Sequence, residues 1–284
     1  MFTLDFISAR GNIMPLVNNE NFNLSGCDGL TKTDVDLAVS SVPALDGDTV
    51  NNIQAKPRTI VLYIEPKSDK NVEEVKRYVT SFVKPKLNGK LVWKQNDREI
   101  EIIGIVQALE MPRFSEKCVM QISLYCSDPY WADAETVIKS LSNILPMHYF
   151  SIDAGGIAFT ESGLPFGLYD RNHIKNYINE GDAASGMIIT ITAMSVATNP
   201  VLTNLATGKY IGIKDTLVSG DEVVISTYKG KKTVTKNGVN IIDKLLPGST
   251  FLQLEVGGNE FRIDSDDDEL SNMYFTLNFK RLYI

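Results

Sequence analysis

From Met187 to Phe279 the sequence keeps returning to one pattern: a short apolar-rich segment, then a cluster of turn residues. Met187–Val196, Tyr210–Ile213, Val223–Thr227, Lys232–Lys236, Phe251–Val256 and Tyr274–Phe279 read as strands. They are parted by Asn199-Pro200, Ser219-Gly220-Asp221, Asn237-Gly238, Pro247-Gly248 and Gly257-Gly258-Asn259. Short strands broken this regularly by Gly, Asn and Pro are the signature of a β-sandwich or jelly roll. Asn237-Gly238 supplies the residues of a type I′ hairpin.

The first half is also strand-rich. Cys118, Met120, Ile122, Leu124 and Cys126 share one parity and Lys117, Gln121 and Ser123 the other, which predicts a half-buried strand. Cys118 and Cys126 fall on its apolar side, where packing is their expected role. Ile60–Ile64, bounded by Pro57 and Pro66, reads as a strand buried on both faces. Glu99–Val106 reads as a third, with Gly104 marking a bulge or bend. One helix is expected: Asn71 caps, Glu74 completes a capping-box-like start, Val72, Val75, Val79 and Phe82 form the stripe, and Lys84-Pro85 ends it. Ala134–Leu145 reads either as a second helix or as an extended linker.

A length of 284 residues suits about two domains of roughly 100–200 residues each. The expected division is 1–130, a linker over 131–149, and 150–284. The net charge is −7, and both halves about Phe150 are acidic, which argues against a dedicated nucleic-acid binder. Three cysteines, Cys27, Cys118 and Cys126, make no disulfide framework and suggest a reducing compartment. No apolar run is long enough to span a bilayer. Met1–Phe6 carries an early acid and lacks the order of a signal peptide.

Motifs for chemistry are few. Neither His148 nor His173 has a second ligand at metal spacing, and no Gly-x-Ser-x-Gly elbow occurs. Gly230-Lys231-Lys232-Thr233 lacks the upstream Gly of a phosphate loop, since Ile225 stands there; a basic hairpin turn is the better reading. Ala154-Gly155-Gly156 reads as a turn. Asp264–Glu269 is acidic, yet Glu269 and Phe275 stand where an EF-hand needs Gly and Glu, so a solvated loop is favoured over a weak cation site. No catalytic, cofactor-binding or metal-binding residue is assigned, and the chain is not expected to be an enzyme. Tyr149, Phe150, Phe159, Phe166, Tyr169 and Tyr177 cluster at the start of the second domain and raise sugar binding as the alternative reading.

Several phrases together resemble the distal tail protein of siphophages, the long-tailed non-contractile bacteriophages. Cys126-Ser127-Asp128-Pro129-Tyr130-Trp131 is similar to the family's junction after its N-terminal domain. Gly29-Leu30, Pro43-x-x-Asp46-Gly47 and Pro57-Arg58-x-Ile60-x-Leu62 resemble its opening strands. Tyr177–Asp182, Gly186-Met187, Thr198-Asn199-Pro200, Gly230-Lys231-Lys232, Ser249–Leu254 and Gly257–Arg262 resemble its C-terminal domain, in the same order.

The resemblance implies a mainly β chain. Its N-terminal domain would be a tail-tube-like β-sandwich with one helix and an extended hairpin. Its C-terminal domain would be a galectin-like or jelly-roll β-sandwich. It implies a homo-hexameric ring at the distal end of the tail tube. That ring joins the tube protein to the tail-associated hub of the baseplate and serves as a platform for receptor-binding proteins. The place implied is the virion tail tip, assembled in the host cytoplasm without membrane insertion. The alternative is host adsorption through a carbohydrate-binding C-terminal domain. If a ring forms, viral DNA crosses its channel without specific binding, which an acidic wall favours. The Glu99–Val106 and Cys118–Cys126 strands are the candidates for that wall, through Glu99, Glu101, Lys117, Gln121 and Ser123. Tyr130 and Trp131 are expected to anchor the linker, because an aromatic pair buries a large area.

Overall fold

The computed structural model describes residues 2–41, 46–112, 118–140, 144–146, 167–169, 174–267 and 273–284. The chain is mainly β, with one α-helix among the described residues. Its first elements are β1 (Phe2–Ser8), β2 (Ile13–Pro15), β3 (Phe22–Asp28), β4 (Val35–Ser41), β5 (Asp48–Ala55), β6 (Arg58–Pro66), α1 (Val72–Phe82), β7 (Asn88–Gln95), β8 (Arg98–Glu110), β9 (Met120–Cys126) and β10 (Trp131–Asp133). Then come β11 (Val137–Ser140), β12 (Ile144–Pro146), β13 (Gly167–Tyr169), β14 (Ile174–Asn179), β15 (Met187–Ala193), β16 (Ala197–Thr198), β17 (Val201–Asn204) and β18 (Tyr210–Gly212). The last are β19 (Thr216–Leu217), β20 (Glu222–Ser226), β21 (Thr233–Lys236), β22 (Val239–Asn240), β23 (Gly257–Asp264), β24 (Met273–Phe279) and β25 (Leu282–Tyr283).

Two compact units result, Met1–Glu135 with Leu282–Ile284, and Thr136–Arg281. In the first, an antiparallel sheet runs β2-β1-β7-β8-β9-β6-β3, and β10 joins it through β8 and β25. Alternation sends Leu4, Phe6, Leu91, Ile102, Val106, Ile122, Leu124, Ile60 and Leu62 into one core. Helix α1 covers that core with Val75 and Val79. The Asn71 carboxamide oxygen accepts the Glu73 N–H at 2.9 Å, the N-cap the sequence predicts. Val72, expected in the stripe, is exposed, and Tyr78 takes its place beside Phe82.

Three local readings change. On β6 only Arg58, Ile60, Leu62 and Ile64 are buried, whereas Val61 and Tyr63 stand half-exposed on the opposite face. Among the described residues that face stays partly open, so an apolar run there does not mean double burial. Gly104 is not the bulge. A Cβ there would lie 2.7 Å from Leu124 Cγ and 2.8 Å from Cys126 Sγ, so Gly permits close packing. The register shift falls later, between Val106 and Ala108. Ala134–Leu145 contains no helix among its described residues: Val137–Ser140 pairs with β24 and Ile144–Pro146 with β13.

The second unit has a sheet ordered β11-β24-β15-β20-β21-β22 and another ordered β14-β23-β17-β18. Both feed one core, with Ile189, Ile191, Val223, Ile225 and Phe275 from the first and Leu202, Ile211, Phe261 and Ile263 from the second. Lys236 and Val239 pair across Asn237 (φ 50) and Gly238 (φ 80), the expected tight hairpin. Phe251–Val256 is not a regular strand; it holds a single bridge, Leu254 to Ser185. The buried Asn259 side chain bonds both the Glu255 N–H and the Glu255 carbonyl, so the turn closes at Gly257 and β23 starts there.

The stretch 131–149, expected as a linker, is structured where it is described. Trp131–Asp133 pairs with both β8 and β25. Sequence reading treats Leu282-Tyr283 as the end of the second domain, but these residues return to the first unit as β25.

Candidate assembly surface

The β4–β5 hairpin forms a two-stranded sheet of its own and pairs with no other strand among the described residues. Its register sets Val35 against Ala55, Leu37 against Ile53 and Val39 against Val50. Cross-strand partners in an antiparallel pair point to the same side. These six residues of one side are therefore apolar, and the polar pair Ser41 and Asp48 ends that side. The opposite side carries Asp36 with Gln54, Ala38 with Asn52 and Ser40 with Thr49. A register shift at Ala38/Val39 makes this possible. Val50 and Ile53 are three apart, and Asn51 is the extra residue that turns both to one side. Val35, Leu37, Val39, Val50 and Ile53 are all about half-exposed or more, up to 65% for Ile53.

The root of the hairpin is fixed. Lys56 N–H donates to the Asp34 carbonyl at 2.8 Å. Arg58 follows and is 4% exposed. Its Nη1 donates to the Leu30 carbonyl at 2.8 Å, and its Nη2 donates to Thr33 Oγ1. The Trp131 indole N–H donates to the same Leu30 carbonyl at 3.1 Å. Burial pushes the Arg58 pKa down, with the Cys126 thiol pulling weakly the other way. Trp131 belongs to the core of the first unit, edge to face with Trp93 at 5.9 Å. It packs a strand of that unit rather than a linker. Tyr130 is half-buried.

Four of the five residues expected to line a channel share one face of the first unit's sheet. Glu99 and Glu101 on β8, and Gln121 and Ser123 on β9, point away from the core. Lys117 lies outside the described residues. Glu101 pairs with Lys90 at 2.8 Å and Glu99 with Lys94 at 2.9 Å. Burial raises the pKa of nearby Asp5, opposed by Lys94 and reinforced by Glu99. Sequence reading missed the rest of this face: Ile103, Ile105 and Tyr125, which are exposed on it. The signal was present, because Ile103 and Ile105 share the parity of Glu99 and Glu101.

Among the described residues of the second unit, the motifs weighed in the sequence lie in turns, loops and strand ends. Gly230 sits in the turn between β20 and β21. Asp266 accepts from Asn199 and Asp267 from the Thr198 N–H, both at 2.6 Å, while Asp264 pairs with Arg262 at 2.8 Å. Among the described residues no three metal-ligating side chains gather. His148, His173, Ala154–Gly156 and most of the aromatic cluster lie outside the described residues. Of that cluster, Tyr177 leans on Phe261 and donates to the Ser140 carbonyl at 2.7 Å. The exposed large apolar residues described in this unit are aliphatic, with Ile178, Met194 and Val239 among them.

Residues 180–283 match the family model described as the siphovirus-type tail component, C-terminal domain. Apart from Leu282 and Tyr283, the match lies within the second unit. No curated protein matches it. Among solved structures, the distal tail protein Dit of phage SPP1 aligns with a TM-score of 0.69 at 12% identity, covering 100% of both chains. It is described as a paradigm of hub adsorption apparatus in phages infecting Gram-positive hosts. The phage P2 baseplate in its activated conformation aligns with a TM-score of 0.53 at 12% identity in the calcium form. The strontium form gives 0.52 at 11%. Each comparison covers 98% of both chains. These likenesses show a fold shared with those structures over nearly the whole chain.

Proposed function

We propose that this chain is a structural ring protein of a siphophage tail tip. Six copies close into a ring at the distal end of the tail tube, joining the tube to the hub and baseplate and carrying receptor-binding proteins. The work is mechanical: holding a round channel open for DNA, with no bond made or broken. The observation that carries this reading is the β4–β5 hairpin, a two-stranded arm with three apolar cross-strand pairs exposed on one side. A two-stranded ribbon alone is marginal in water. Such a side is stable when another surface covers it, and a closed ring supplies one at every boundary. The family match and the fold likeness support the tail location.

Light scattering and negative-stain imaging of the full chain test the proposal. The expected result is a sixfold ring. A strict monomer at high protein concentration, unchanged by Leu37→Glu in the arm, would overturn it.

A further inference from the structure

A head-to-tail ring needs two different surfaces on each copy, one that gives and one that receives. The arm is the donor. The open face of the first unit's sheet holds a second uncovered apolar patch. Ile103 and Ile105 are 57% and 47% exposed, two residues apart on β8. Tyr125, 38% exposed, stands directly opposite Ile105 on β9. Ion pairs Lys90–Glu101 and Lys94–Glu99 border it on the side toward β7. Polar Ser123 and Gln121 continue β9 beyond Tyr125. The patch is thus an apolar centre with a charged and polar edge, the composition of an interface.

Resting on the ring reading above, we propose that the apolar side of the β4–β5 arm seats on the Ile103–Ile105–Tyr125 patch of the next copy of this chain. Area favours a second copy as the occupant. The uncovered surface of the five large arm residues comes to roughly 500 Å² and that of the patch to roughly 300 Å², each of the size that marks a functional patch on a monomer. Together they supply about the apolar half of a standard interface of roughly 1,600 Å². Neither surface alone comes near that area. Leu37 and Ile53, opposite each other near the middle of the arm, are the anchors that meet Ile105. On this assignment Glu99 and Glu101 form the rim of a subunit contact.

A charge exchange in the full-length protein tests the pairing. Ile53→Glu and Ile105→Lys both lie on exposed positions, so unchanged thermal melting confirms that each variant folds. Each alone is expected to weaken ring assembly at least tenfold. Mixing the two populations lets copies alternate around the ring. Every boundary then holds either a Glu–Lys pair or the original Ile–Ile contact, and assembly returns. Loss of assembly in both variants without recovery on mixing would overturn the pairing and leave the ring reading intact. Assembly unaffected by Ile105→Lys would do the same. A wild-type chain that never assembles would remove the ring reading, and this inference with it.

Discussion

Arg58 and Cys126 are cross-strand partners on β6 and β9, both turned to the buried side of the sheet. Two guanidinium nitrogens, Nη1 and Nη2, donate to the Leu30 carbonyl and Thr33, just before the arm departs. Arg58→Met removes both bonds while keeping most of the buried stem. The expected cost is about 1.5–3 kcal/mol in urea unfolding, the usual range for hydrogen bonds to a charged group. Trypsin should also cut sooner at Lys32, just before the arm. Unchanged cleavage would mean that Arg58 does not fix the root.

The Cys126 thiol is pushed up to about 12, chiefly by burial, with Arg58 pulling it down and Asp128 pushing it further up. Cys27 rises to about 11, again by burial and then by Asp28. The thiolate is the reactive form. Iodoacetamide at pH 8 should leave Cys126 unmodified in the folded chain and label it in urea, as read by peptide mass spectrometry. A raised pKa favours the neutral folded form. That stabilisation is complete below the ordinary value of 9.0 and drains away as pH climbs from there toward about 12. Cys126→Ala should therefore lessen the alkaline loss of stability.

Two glycines test close packing. Gly29 has φ +76, and a Cβ there would fall 2.2 Å from the Thr59 carbonyl oxygen. Gly104→Ala should cost about 1–3 kcal/mol by overpacking Leu124 and Cys126. Gly29→Ala should cost more, because backbone strain adds to the clash. Gly11 has φ +83 with nothing within 4 Å of a built Cβ, so Gly11→Ala should cost only the left-handed conformation, about 1–2 kcal/mol. Melting temperatures of the three variants give the order.

In the second unit Asp221 is held down at about 2 by the Val218 N–H, the Asn237 carboxamide and Lys236. A depressed carboxyl stabilises above its ordinary value of 3.8, and the benefit fades as pH falls from there through about 2. Asp221→Asn should flatten the acid limb of the unfolding curve over that interval. Circular dichroism against pH measures it.

Trp131→Ala should cost about 3–5 kcal/mol, the usual loss for a large core aromatic. Deleting Leu282–Ile284 strips β25 from β10 and removes the Tyr283 ring over which Arg98 sits at 3.6 Å. That deletion should lower the stability of the first unit, read from hydrogen exchange on β10. Separating the units at Asp128–Trp131 would cut into the first unit's core. A fragment meant to keep that core must include Glu135 and the closing strand.

Much of the fold was legible because local signals agreed with tertiary ones. Asn71 with Val75, Val79 and Phe82 announced α1, and Met120–Cys126 announced β9 by strict alternation. Asn237-Gly238 fixed its hairpin through two residues that tolerate positive φ. Val137, Ile138, Leu141 and Ile144 fit helix and strand spacing alike, and pairing with β24 decided the matter for Val137–Ser140. The arm was harder still. The resemblance implied an extended hairpin, but Val50, Ile53 and Ala55 obey no single period until the extra residue at Asn51 is known. The patch at Ile103, Ile105 and Tyr125 was hidden for another reason. Apolar residues on a strand suggest an interior, and only the packing shows which side lacks a cover.

The register shift in the arm makes its chemistry a matter of counting. Were Asn51 to take an ordinary place in the ladder, Val50 would swing to the wet side, although no apolar residue had been lost from the chain. A relative could exchange valine for isoleucine or leucine along this ribbon and keep its adhesive side. Loss of Asn51 would keep that side as well, because Val50 and Ile53 would then alternate plainly, so the facing of these residues, more than their identity, is what inheritance must protect.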